Sequence, residues 1–320
     1  MKKRTVFLVC AVVIMAFALG SAVSAAEFPK EKQIRMVVPY GAGGGVDIAA
    51  RILATHAQDV LGQRVDVICM PAAGGQEGIN FVLQQPRDGY TLLVTDYGPL
   101  VTTALTEEVS YELSEWLPLV QITEVVPTFF VKSESPLKNV GDWVKTAKEN
   151  PGSLTVAHGR HLSVPHLPLI LFEKTAGIKN THVPTTGGSE ALAFVLGEKV
   201  DIGASVPSTI ASSVKAGTMR PLAVCSLERD ATLPDTPTLK ELGYDVVLPA
   251  WYTVFAPQGV PEEILGFLNE KLLEVLKSEA AVEMASKSNV LLTPYGRDKT
   301  IPLYEGTISS LKLILADVAK

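Results

Sequence analysis

Two stretches of the chain place glycines between an apolar strand-like run and an apolar helix-like run. The first is Pro39-Tyr40-Gly41-Ala42-Gly43-Gly44-Gly45-Val46-Asp47 and the second is Pro71-Ala72-Ala73-Gly74-Gly75. Glycine removes the Cβ and lets backbone N–H groups converge on a ligand. A helix start adds unsatisfied donors and a partial positive charge. Together they make an anion site that needs no lysine or arginine. Neither stretch ends in the Gly-Lys-Ser/Thr of a phosphate-binding loop. Counted from Gly41, the sixth position of a dinucleotide fingerprint is Val46, not glycine. The chemistry expected is therefore capture of a small anion, and no nucleotide, other cofactor or nucleic-acid partner is expected.

Other side chains bear on the chemistry. His158, His161, His166 and His182 invite a metal hypothesis, but their spacing is irregular and no metal is expected. Gly187-Gly188-Ser189-Glu190-Ala191 approaches the nucleophile elbow of hydrolases but lacks its last glycine, and a serine at a helix start is ordinarily a cap. The protein is read as a binding protein, not an enzyme. A hydrolase and a ligand-sensing adaptor for a membrane sensor are the alternatives.

The elements that must position these turns alternate strand and helix. Ile34–Pro39, Val65–Met70 and Thr91–Thr95 read as buried strands, with helices over 47–61 and 77–85 between them. Gly62 stands where a helix C-terminus wants glycine. This βαβαβ run implies a parallel sheet with helices on both faces, and in such sheets ligands bind at the carboxyl ends of the strands. A second cycle follows. Strands are expected over 119–122, 128–131, 154–157, 181–184, 200–205 and 221–225, and helices over 140–148, 166–175, 189–196 and 208–216. Ala250–Phe255 crosses back as an extended aromatic run. Pro261 opens a long helix through Leu276, and another is expected over 297–320.

The N-terminus addresses the compartment. Lys2, Lys3 and Arg4 precede an uncharged apolar run from Val6 to Leu19 and a small-residue tail ending at Ala26, the pattern of a cleaved secretory signal. A free periplasmic protein is expected. The formal net charge of −6, more negative once the three basic residues leave, is a poor match for nucleic acid or an anionic membrane surface. Cys69 and Cys225 lie far apart in sequence and are read as free buried thiols. The length suits two domains: 1–26 signal peptide, 27–124 with 252–320 as lobe 1, and 125–251 as lobe 2.

A set of ordered features carries a family resemblance: Phe28-Pro29 then Ile34-Arg35-x-Val37-Val38-Pro39; the glycine turn ending in Asp47; Leu61-Gly62-Gln63; Gly74-Gly75; Pro86-x-Asp88-Gly89-Tyr90-Thr91-Leu92; Pro151-Gly152-x-Leu154; His166-Leu167; His182-Val183-Pro184; Asp201; Lys215-Ala216-Gly217-x-x-Arg220-Pro221-Leu222; Leu233-Pro234-Asp235-x-Pro237-Thr238; and Ala256-Pro257-x-Gly259-x-Pro261. In order and spacing the mature chain resembles the substrate-binding receptors of tripartite tricarboxylate transporters, also called Bug-type receptors. The resemblance implies a type II periplasmic-binding-protein fold, α/β in class, with two lobes joined by two crossing strands. It implies a monomer that closes over a small organic carboxylate and is then read by a large and a small membrane permease subunit. The ligand-binding residues expected are Tyr40, Ala42, Gly43, Gly44, Gly45, Val46, Asp47, Ala73, Gly74, Gly75, Thr95 and Asp96 from lobe 1. From lobe 2 they are His158, Gly159, Arg160, His161, Ser163, Thr185, Thr186 and Ser205. The glycines donate N–H groups and Asp47 orients its turn. Where relatives carry small residues after the 154–157 strand, this chain has His158-Gly159-Arg160-His161. Arg160 is either a bidentate partner for a second ligand carboxylate, or a lobe–lobe salt bridge or solvent-facing side chain.

Overall fold

The computed structural model describes residues 28–318; the expected signal peptide lies outside the described residues. Two five-stranded sheets organise the chain. In the first, β1 (Ile34–Val38), β2 (Val65–Cys69), β3 (Thr91–Thr95), β4 (Trp116–Val125) and a late strand over Ala250–Pro257 take the order β2-β1-β3-late strand-β4. In the second, β5 (Thr128–Lys132), β6 (Thr155–His158), β7 (Thr181–Pro184), β8 (Ile202–Ser205) and β9 (Met219–Val224) take the order β7-β6-β8-β5-β9. The late strand is β10.

β1 pairs in parallel with β2 and β3, as the βαβαβ pattern requires. The sheet is nevertheless mixed, because β10 runs antiparallel to both β3 and β4. β4 carries the chain out toward the second sheet and β10 brings it back, so the two must oppose each other. The second sheet repeats the arrangement, with β6 parallel to β7 and β8 and β5 antiparallel to β8 and β9.

Each sheet has its own apolar core. Val37, Val38, Leu92, Val94 and Val254 are buried with Leu53 of the helix Gly45–Leu61 and Leu268 of the helix Glu262–Lys277. Lobe 2 centres on Trp143, Phe129 and Phe172, with Trp143 and Phe172 ring centroids 4.9 Å apart. The lobes are closed on each other: Leu162, Val164, Leu167 and Val206 of the second lobe belong to the apolar cluster of the first.

Most elements lie within a few residues of their expected positions. Some were not anticipated, the short 3₁₀ turn Leu113–Glu115 among them. Gly98–Thr102 is one π-helical turn continued by an α-turn over Thr103–Thr106. Glu279–Lys287 is a separate helix begun by Ser278, whose side chain accepts from the Ala281 N–H at 3.2 Å. The last helix runs over Arg297–Val318. Both Cys69 and Cys225 are free; Cys225 is buried, whereas Cys69 is only half-buried and donates to Asp47 Oδ1 at 3.2 Å. Among the described residues no helix is long and apolar enough to cross a membrane.

Candidate functional site

The first glycine turn leads into the helix Gly45–Leu61, whose N-cap Gly44 offers no side-chain cap. Its first intrahelical bond is Ile48 N–H to Gly44 C=O, so the preceding N–H groups point forward unpaired by the helix. Asp47 does not face outward with them. Its Oδ2 accepts from Gly43 N–H at 2.7 Å and its Oδ1 is 2.8 Å from Arg51 Nε. Those bonds hold its carboxyl below the ordinary range although burial, the largest single influence, pushes the other way.

Three helices of lobe 2 end at the same place. His166–Ala176 begins after Pro165, Gly188–Leu196 after Gly187 and Pro207–Lys215 after Val206, and none has a side-chain cap. Gly44, Gly45 and Val46 from one lobe, with Gly159, Ser163, Pro165, Gly187, Gly188, Ser205 and Val206 from the other, enclose a chamber of about 40 Å³. Tyr40, Asp96 and Tyr252 complete its wall. Four helix N-termini thus converge on one space, and among the described residues neither lysine nor arginine lines it. The His166 and Leu167 N–H groups are spent on the Ser163 carbonyl and Pro168 has none, so the open donors are those of the Gly45 and Gly188 helix starts. The volume suits a few waters. A larger groove of about 480 Å³ is also lined by Tyr252, but Glu124, Glu228 and Asp230 outnumber the cation Arg229, which is paired with Glu241. That charge opposes an anion.

Among the described residues, Asp96 is the one carboxylate that lines the chamber. Its Oδ1 accepts from Tyr40 Oη at 2.8 Å and from Gly98 N–H at 2.7 Å. Burial raises its pKa to about 6 against those bonds and the pull of Arg160. Ser163 is fully buried and its Oγ has no partner. Thr95, also fully buried, has an unpartnered Oγ1.

Arg160 leaves lobe 2 and lands on lobe 1. Its Nη1 donates to Thr103 Oγ1 at 2.5 Å and to the Gly98 carbonyl at 3.3 Å, and Nη2 lies 3.6 Å from Glu107 Oε1. It lies against the second glycine turn: a Cβ at Gly74 would fall 2.7 Å from Arg160 Nε. Of that turn, Gly75 is buried and none of Ala73, Gly74 and Gly75 lines the chamber. At the mouth, Gly41 and Gly43 face Thr186 and Ser189 across the cleft, and Ala42 is exposed. Thr186 bonds Glu190 through both its N–H and its hydroxyl, and Thr185 Oγ1 donates to the His158 carbonyl at 2.7 Å. Ser189 Oγ has no hydrogen-bond partner, so no base is poised to activate it.

The histidines form a wire behind the site. Leu162 N–H donates to His166 Nδ1 at 2.8 Å, which places the His166 proton on Nε2. That N–H donates to His182 Nδ1 at 2.8 Å, and His182 Nε2–H donates to both oxygens of Glu173 at 3.0 Å. Glu173 Oε1 also accepts from Asn180, whose Oδ1 accepts from the core Trp143 at 3.0 Å. His158 stacks on His166 with centroids 3.8 Å apart and donates through Nδ1 to the Gly159 carbonyl. His161 is exposed, its ring 5.1 Å from His166. His158, His166 and His182 could bring three nitrogens to one ion, but the wire works against it. A metal on His166 Nε2 would force the proton to Nδ1, against the Leu162 N–H that Nδ1 already accepts. The network instead holds the 158–163 loop, including Leu162 at φ +54°.

These groups make a testable pH signature. Burial lowers the His158 pKa from 6.5 to about 4 and lowers His166 further. The unfolded chain takes up their protons near pH 6.5, while the folded protein resists. Their contribution is therefore complete above pH 6.5 and is lost as pH falls toward 4. Asp96 runs oppositely: its folded pKa of about 6 exceeds the ordinary 3.8, so it adds stability as pH falls through 6. In Asp96→Asn that offset is gone. Between pH 6 and 4 the variant's unfolding free energy should fall more steeply than the wild type's, by about 1 kcal/mol per pH unit on average and at most about 1.4. Urea titrations across this window check the difference, and equal slopes would contradict it.

The family profile described as "Tripartite tricarboxylate transporter family receptor" matches residues 49–300. The chain belongs to this receptor family. It is 32% identical over 279 residues to Protein BugT of Bordetella pertussis, covering 86% of this chain and 85% of that one. An R. palustris protein solved with adipate superposes with a TM-score of 0.85 at 25% identity, covering 91% of this receptor and 98% of that chain. MatC from Rhodopseudomonas palustris, solved with bound malate, gives a TM-score of 0.82 at 24% identity, covering 89% and 99%. The fold is that of the periplasmic binding proteins, and family and fold are those of solute-binding proteins.

The second lobe's Gly187, Gly188 and Val206 and the crossing-strand Tyr252 were not among the residues expected at the site. The glycine pair carried a usable signal: like Gly44-Gly45, it precedes a helix that has no cap of its own.

Proposed function

We propose that this receptor works in the periplasm, captures a small organic carboxylate between its lobes and delivers it to a membrane permease of a large and a small subunit. The observation that supports this reading best is the convergence of helix N-termini from both lobes on one chamber, with unspent N–H donors at the Gly45 start of one lobe and the Gly188 start of the other. Because the donors come from opposite lobes, an anion is held fully only when the lobes close, and its binding energy drives closure. Solved relatives with malate and with adipate fit a ligand of this class. The permease then reads the closed form. Recognition, not turnover, is the activity.

A thermal-shift screen against mono-, di- and tricarboxylates, acidic amino acids and aromatic acids tests the reading. The cognate acid should raise the melting temperature, with stabilisation of about 2.7 kcal/mol at a free concentration one hundred times its dissociation constant. Melting temperatures that no acid of the panel moves would sink the proposal.

A further inference from the structure

The chamber is a donor's cage with one exception, and the exception discriminates among carboxylates. The helix starts at Gly45 and Gly188 supply N–H groups, and Ser163 supplies a buried hydroxyl with no partner. Against them stands Asp96, 4% exposed, which can only accept while ionised. Its oxygens present about four lone-pair directions. Tyr40 O–H lies across both oxygens, at 2.8 and 3.0 Å, and Gly98 N–H reaches Oδ1 at 2.7 Å. Oδ2 therefore keeps accepting capacity. The carboxylate also sits at the lobe boundary: a Cβ at Gly98 would lie 2.9 Å from Asp96 Oδ1, 3.0 Å from Tyr40 Oη and 3.3 Å from Ser163 Cα of the other lobe.

The geometry points to Asp96 as the group that reads a hydrogen-bond donor on the solute itself, so that the ligand is a hydroxy- or amino-carboxylate. This rests on the carboxylate-receptor reading above and narrows it. A bare carboxylate closed into this space would set two anions side by side without water, or else require Asp96 to take up a proton. A hydroxyl or ammonium one bond from the ligand's carboxylate carbon framework removes the conflict. The acid group faces the helix N-termini while its neighbouring donor faces Oδ2. The charged and titratable groups around Asp96 do not remove the conflict themselves. Tyr40, Tyr97 and Tyr252 are buried phenols held neutral. Arg160, the cation that acts on Asp96, spends its Nη1 on Gly98 C=O and Thr103. The raised pKa of Asp96 agrees with an incompletely compensated charge.

Calorimetric titration of the wild type with matched acids decides the matter: succinate against malate and aspartate, propionate against lactate, and adipate against 2-hydroxyadipate. At pH 8 the donor-bearing member of the pair that fits the chamber should bind at least about tenfold more tightly than its bare counterpart. At pH 5, where Asp96 is protonated, the gap should narrow because the bare acid gains. In Asp96→Asn it should shrink below about threefold at pH 8. Equal affinities within every binding pair at pH 8 would overturn the inference while leaving the carboxylate receptor standing, and so would a gap that persists unchanged in Asp96→Asn. Should that variant fail to fold, the wild-type comparison at the two pH values decides alone. If no acid in the panel binds at any pH, the receptor reading falls and this inference falls with it.

Discussion

Gly45→Ala should cost about 100-fold in ligand affinity while leaving the protein folded. Gly45 is the first residue of its helix, where alanine is intrinsically favoured over glycine. The obstacle is what faces it. An alanine Cβ would stand 2.8 Å from Val206 Cγ2 and nearer still to Tyr252 Oη. Both side chains are buried, Val206 at 5% and Tyr252 at 3% exposure, so neither can swing away freely. Val206 belongs to the opposite lobe, and its clash exists only when the lobes are shut. Overpacking of this kind costs about 1–3 kcal/mol. The added methyl also intrudes where the helix donors meet the chamber, which raises the loss toward the upper end. Titration with the cognate acid measures the affinity, and small-angle scattering should show a radius of gyration that no longer contracts on its addition. The melting transition should stay cooperative. Removing both obstructions with Val206→Ala and Tyr252→Phe should recover part of the binding. Wild-type affinity in Gly45→Ala would mean that the lobes do not close on this turn.

The first lobe's turn was legible because its whole logic is local. An apolar β-branched strand, a run of glycines and an uncapped helix start lie within a dozen residues, and Gly62 ends the helix at φ +70° as its position suggests. The chamber's other wall was less legible because it is assembled by closure. Gly188, Val206 and Tyr252 come from a helix start, a helix cap and a crossing strand far apart in sequence, and no periodicity announces that they share a space. The Gly98–Thr106 segment was hidden for a different reason. Glycine, proline and three threonines argue against a helix. Here threonine hydroxyls bond back four residues, Thr106 Oγ1 to the Thr102 carbonyl at 2.7 Å and Thr102 Oγ1 to that of Gly98. Thr102 Oγ1 also reaches the Leu162 carbonyl of the other lobe at 3.1 Å. Tertiary contact overrides propensity there, and the result is the surface on which Arg160 lands. The sequence left Arg160 open between ligand partner, lobe bridge and solvent-facing side chain; the side chain crosses the cleft to Gly98 and Thr103 and is the bridge.

Arg160→Ala should weaken binding about 10- to 100-fold, by opening the closed form and not by deleting a ligand contact. Hydrogen bonds to charged groups contribute about 1.5–3 kcal/mol, and the guanidinium supplies two of them to lobe 1, at Thr103 and Gly98. The Glu107 pair adds little, since that carboxylate is half exposed. Gly74 is the seat beneath: at φ +65°, and with any added Cβ 2.7 Å from Nε, it admits no side chain while Arg160 is in place. Gly74→Ala should therefore push the arginine off and reproduce much of the same loss. The double variant should be little worse than the poorer single one, because both act on one contact. Arg160→Lys should not restore binding, as a point charge on a flexible stem cannot hold the two acceptors at once. The decisive comparison is across ligands. A lobe clasp lowers affinity for mono- and dicarboxylates by the same factor, whereas a direct partner for a second carboxylate lowers it for dicarboxylates alone. Unchanged affinity for both classes in Arg160→Ala would show that closure is held by the apolar contact of Leu162, Val164 and Val206 with lobe 1, and that the second glycine turn accommodates the arginine without depending on it.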